Sequence, residues 1–111
     1  MVGKVYSVRG TYQFHGVDHF QVGILRIGEN EKITGSVMEN GSGYIQRSIR
    51  GSFERAEGKI MFSVLSSSNR EVIRYNLRKT RERKKTEGRY SGHCFINGGG
   101  GTARMTLDSK F

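Results

Sequence analysis

The sequence has no proline, no tryptophan and a single cysteine, and no apolar run of the roughly 18 residues a membrane-spanning helix needs. Each absence excludes something. Average usage of about 5% would place about five prolines in a chain of 111 residues. Disordered linkers are proline-enriched, so their lack, beside 16 glycines, favours continuous strands joined by glycine turns. With Cys94 alone, no internal disulfide can form, and a reducing cytoplasm is the expected home. Met1–Val5 carries no long apolar stretch after its charge, so no secretion signal is expected. Carboxylates are also scarce: 10 Asp and Glu face 19 Lys and Arg, giving a net charge of +9 and a pI of about 10.1. That field favours nucleic acid, anionic membrane or acidic partners and says nothing about fold.

The length suits one domain over 1–111, burying roughly two thirds of its extended surface without metal or disulfide help. An apolar share of 34% and a mean hydropathy of −0.58 fit strands wetted on one face. Four stretches repeat an apolar residue, any residue, then glycine: Val8-Arg9-Gly10, Ile33-Thr34-Gly35, Ile49-Arg50-Gly51 and Tyr90-Ser91-Gly92. In a strand each glycine shares a face with its apolar neighbours, which lets a sheet bend sharply or lets backbones approach closely. Closing a sheet into a barrel needs that.

Alternation is clearest at Tyr6, Val8, Gly10, Tyr12 and Phe14, followed by a turn at 15–18. Phe20, Val22 and Ile24 are expected to line the second strand's inner face, and Ile33, Gly35 and Val37 the third's. Asn40-Gly41 signals a hairpin. Ile45, Ile49, Gly51 and Phe53 follow, then Ile60, Phe62 and Val64, then Tyr90, Gly92, Cys94 and Ile96. Gly98–Gly101 is expected as a turn into a last strand carrying Ala103, Met105 and Leu107. Arg70–Arg83 fits a strand through Ile73, Tyr75 and Leu77, although Val72, Ile73, Asn76, Leu77 and Thr80 also make a helical stripe. Its β-branched and aromatic residues favour the strand. The expected fold is therefore all-β, an antiparallel up-and-down barrel of about eight strands.

The order of the four glycine motifs, above all Tyr90-Ser91-Gly92-His93-Cys94-Phe95-Ile96, resembles that of the avidin family of eight-stranded barrels. The resemblance implies the barrel. It does not extend to biotin, because the family's pocket tryptophans are absent and Phe14 and Val37 stand near its polar contacts.

Arg70–Arg89 holds nine cations against three carboxylates, a net +6 of the chain's +9. Dense cations release counterions from a nucleic-acid backbone and bind it in a salt-dependent way. Arg74, Arg78, Lys79, Arg81, Arg83, Lys84 and Lys85 are the expected polyanion contacts, read through charge rather than base identity. The alternative is a small apolar or anionic ligand inside the barrel at Tyr12, Phe14, Arg47 and Tyr75. Arg26 and Arg47 carry inward parity, which asks for a barrel mouth, a carboxylate or a bound anion. A third alternative joins copies of the chain through Leu25, Ile27, Met61 and Leu65 on the outside. His15, His19 and His93 lack a metal-binding spacing, and Cys94 reads as a small core hydrophobe. No acid pair, catalytic triad or nucleotide fingerprint is present, so neither enzymatic activity nor a cofactor is expected.

Overall fold

The computed structural model describes residues 4–14, 17–40, 45–81, 86–96 and 99–109; for Phe14, Val17, Glu39, Asn40 and Ile45 it describes the backbone alone. Eight strands follow in chain order: β1 (Lys4–Phe14), β2 (Val17–Ile27), β3 (Lys32–Asn40), β4 (Ile45–Glu54), β5 (Lys59–Leu65), β6 (Glu71–Lys79), β7 (Gly88–Ile96) and β8 (Gly99–Ser109). Each pairs antiparallel with the next, and β8 returns to β1 from Tyr6↔Ser109 to Tyr12↔Ala103. The sheet is a closed up-and-down barrel with no free edge.

Apolar alternation sets the inside of every strand. Tyr6, Val8, Ile33, Val37, Ile49, Phe53, Ile60, Phe62, Leu77, Tyr90, Cys94 and Leu107 are all buried in one core. Basic, hydroxyl and amide side chains take most of the outer positions. This is the reverse of a membrane barrel, which turns an apolar band outward. No described helix is long and apolar enough to cross a membrane.

The motif glycines mark places where neighbouring strands press together. A Cβ on Gly51 would overlap the Met61 carbonyl oxygen and lie 2.5 Å from Phe62 Cα. Gly23 and Gly35 do the same reciprocally across β2 and β3, against the Ser36 and Ile24 carbonyls. Only a residue without a side chain allows such a crossing.

β2 departs from expectation. Gln21, Leu25 and Ile27 are buried, while Phe20 and Val22 are 55% and 43% exposed. The β1–β2 register decides it: inward Tyr6, Val8 and Gly10 pair with Leu25, Gly23 and Gln21, and cross-strand partners share a face. Arg26 is consequently outside, and Leu25 and Ile27 cannot join copies of the chain. Leu65 is buried as well, because a bulge between Val64 and Leu65 turns two successive side chains inward. Met61 is half-buried. Segment 71–79 is strand and not helix. Gly99–Gly101 already belong to β8, so the expected turn at Gly98–Gly101 is shorter than its glycines.

Candidate nucleic-acid interface

Thr86, just past the basic run, is fastened to one end of the barrel. Thr86 is buried, its carbonyl accepts a 2.6 Å hydrogen bond from Tyr90 Oη, and its hydroxyl accepts one from Arg55 Nη1 at 3.2 Å. Arg55 is itself held by Glu31 at 3.3 Å and lies 5.2 Å from the centroid of the Phe53 ring. Glu31 takes the left-handed conformation, φ 60°, and its carbonyl accepts the Phe53 N–H. The turns after β2, β4 and β6 thus lock together. Burial pushes the Tyr90 hydroxyl up to about 12; the neighbouring Tyr6 adds to the rise and Arg55 opposes it.

Lys79 is a correction. It shares the parity of Leu77, so it points inward at the barrel end, 4% exposed, with Nζ 5.9 Å from the Tyr90 ring centroid and beneath Gly88. Its side chain is withdrawn from solvent, although the residue lines the groove over β7 and β8. Arg74 is exposed, but Glu71 holds it through two hydrogen bonds of 3.0 and 3.1 Å. That pairing, with the Ser63 hydroxyl donating to the same carboxylate, holds Glu71 below the usual carboxylate range and raises Arg74. Arg78 and Arg81 are exposed, whereas Arg83, Lys84 and Lys85 lie outside the described residues.

Barrel closure brings together cations far apart in sequence. One outer row runs Arg78, Ser91, Arg104, Thr11 and Phe20 across β6, β7, β8, β1 and β2. The adjacent row runs Arg89, Thr106, Arg9, Val22 and Met38 across β7, β8, β1, β2 and β3. With neighbouring strands about 4.8 Å apart, the arginines within each row stand roughly 10 Å from one another. A groove of about 980 Å³ lies over β7 and β8, with Arg81, Arg89 and Arg104 among its walls. Residues 104–106 also line a shallower one of about 410 Å³ that continues past Arg9 and Phe20. Arg9 pairs with Asp108 at 3.4 Å, and Glu87 lines the groove. Among the described residues, no carboxylate lies within salt-bridge distance of Arg78, Arg81, Arg89 or Arg104.

Arg9 and Arg104 were not among the expected contacts. Their outward parity is legible, since Ala103 and Met105 flank Arg104, but their adjacency exists only once β8 closes on β1.

The interior residues sit apart from this face. Tyr12 packs edge-on to Tyr75 at 6.2 Å, and Tyr75 stacks on Phe62 at 4.8 Å while donating a 2.6 Å hydrogen bond to Gln21 Oε1. The space among Val8, Gln21, Val37, Phe62, Tyr75 and Met105 is about 10 Å³, room for about one water. Arg47 is partly buried, with Nε lacking a hydrogen bond among the described residues. The Phe14 side chain lies outside the described residues. His19 stacks on Tyr12, His93 is exposed, and His15 lies outside the described residues. Among the described residues no His, Cys, Asp or Glu cluster is suited to a metal ion. Cys94 is fully buried, and burial pushes its thiol up, away from the reactive thiolate.

Fold and face together define a small basic barrel of calycin-like architecture, eight strands closed around an apolar core. Comparison of the chain with protein-family models, curated proteins and solved structures gives no significant match.

Proposed function

We propose that this protein is a non-enzymatic binding protein of the cytoplasm that holds nucleic acid or a related polyanion on the outer face of β6, β7, β8 and β1. The observation that carries the reading is the pair of arginine rows, with Arg9, Arg78, Arg89 and Arg104 on adjoining strands and Arg81 at their edge. Ser91, Thr11 and Thr106 between them supply hydroxyl donors for phosphate oxygens. A surface of arginines and hydroxyls reads charge and backbone spacing, not base identity. The avidin-like glycine pattern belongs, on this reading, to a shared way of closing a barrel and not to a shared ligand.

The test is heparin elution and oligonucleotide affinity as a function of salt. About five phosphate contacts give a log–log salt slope near −3.5 for a single strand. Arg78→Gln/Arg89→Gln/Arg104→Gln should reduce that slope by about 2 and advance elution. An equal charge loss elsewhere on the wall, Arg26→Gln/Lys32→Gln/Arg50→Gln on β2, β3 and β4 beyond the arginine rows, should change both less. Equal effects of the two triple variants, or binding indifferent to salt, would overturn the reading.

A further inference from the structure

Two exposed aromatic rings share the outer face that carries the arginine rows. Phe20 on β2 is 55% exposed and ends the row that begins at Arg78. Phe95 on β7 is 47% exposed and pairs with Arg74 on β6. Singly exposed apolar side chains are ordinary on a protein surface, so it is the rings' place on a cationic face that carries the argument. Here Gln13, Thr102 and His93 stand between the rings, so the two do not merge into the single apolar core that a protein partner would bury. By strand spacing and rise they stand roughly 20 Å apart across the curved sheet. That is several nucleotides of an extended strand.

Resting on the polyanion reading above, we infer that the ligand is single-stranded nucleic acid, with bases stacked on Phe20 and Phe95 and the backbone on Arg104, which stands roughly 10 Å from Phe20 along its row and roughly 14 Å from Phe95. Charge complementarity and ring exposure point the same way. A single strand alternates anionic phosphates with open π-faces, and aromatic stacking is tolerant of base identity. A duplex keeps its bases paired inside and would leave both rings wet. A flexible strand also follows a convex barrel wall, which a stiff duplex does not. Val22 and Met38, beside Phe20 and themselves exposed, extend the apolar floor under a base there.

The experiment compares a fluorescein-labelled single-stranded (dT)12, a 12-base-pair duplex and heparin. Phe20→Leu/Phe95→Leu removes planarity while keeping apolar area. Its expected effect is a loss of (dT)12 affinity of at least about tenfold, with duplex and heparin binding unchanged. Phe20→Tyr/Phe95→Tyr should retain the wild-type affinity, and unchanged thermal melts will show that both pairs fold. If the leucine pair binds (dT)12 as wild type does while the arginine triple variant does not, stacking is wrong and the electrostatic reading stands. If the arginine triple variant also binds normally, both fall. A leucine pair that turns a dimer into a monomer by light scattering would assign the rings to a contact between copies and overturn the inference.

Discussion

Gly51 shows how much a single missing carbon decides. The Met61 carbonyl and Phe62 Cα occupy the space a methyl group would need, and both are backbone in the middle of β5, unable to give way. Gly51→Ala is therefore expected to cost about 3 kcal/mol or more, read as a fall in the urea midpoint. Gly28→Ala is the comparison, because the nearest atom there is the Lys32 oxygen at 3.8 Å. It should cost little. If the two substitutions cost the same, the close crossing of β4 and β5 is not what fixes glycine at this position. Tyr90 offers a second test at this scale. Its hydroxyl is pushed up to about 12 by burial, whereas in the unfolded chain it titrates near the ordinary value of about 10. Above the lower value the unfolded chain releases a proton that the native state keeps, so stability falls as pH rises from about 10 to 12 and is fully present below about 10. Urea midpoints at pH 9 and pH 11 will show the slope, and Tyr90→Phe should reduce it. A slope unaffected by Tyr90→Phe would place the late titration elsewhere.

At the scale of elements, β2 separates what sequence alone conveys from what pairing conveys. Both of its faces read as apolar: Phe20, Val22 and Ile24 on one, Leu25 and Ile27 on the other. Alternation cannot rank them. The short turn to β1 can, because an even-numbered loop pairs inward Tyr12 with an odd-numbered residue, and the structure pairs it with His19. That information was in the chain and needed a hairpin argument to extract. Leu25→Ala should cost about 2–5 kcal/mol, whereas Val22→Thr should lie within about 0.5 kcal/mol of wild type. The opposite ranking would restore the parity read from the sequence. Lys79 teaches the same lesson at a strand end. Two positions beyond buried Leu77 it must face inward, yet its charge drew it into the cationic cluster. The other strands were legible because most of their large apolar residues fall on one face, although Phe95 on β7 and Val72 on β6 face the other way. The bulge at Val64 and Leu65 was not, since nothing local distinguishes it from a regular strand end.

At the scale of the whole molecule, the arginine rows could not be read from spacing along the chain. Arg9 and Arg104 are 95 positions apart and become diagonal neighbours only through barrel closure. The same closure concentrates charge on a body of 35 × 27 × 23 Å carrying a formal +9. In about 0.01 M salt the screening length, about 30 Å, spans the molecule, so every cation repels every other in the folded state. Two different ions should relieve that repulsion in distinguishable ways. Raising sodium chloride to about 0.15 M shortens the screening length to about 8 Å and should raise Tm whichever face carries the charge. Inorganic polyphosphate at low salt should raise Tm through binding, by about 2.7 kcal/mol of added stability at a hundredfold excess over Kd. Because the second effect requires adjacent free cations, Arg78→Gln/Arg89→Gln/Arg104→Gln should abolish most of the polyphosphate shift. The variant's Tm in low salt should itself be higher than wild type, since three repelling charges are gone. Differential scanning fluorimetry in the two buffers reads all four quantities. A polyphosphate shift that survives the triple variant would show that the cations act as a diffuse cloud, and would remove the arginine rows from any claim to be a site.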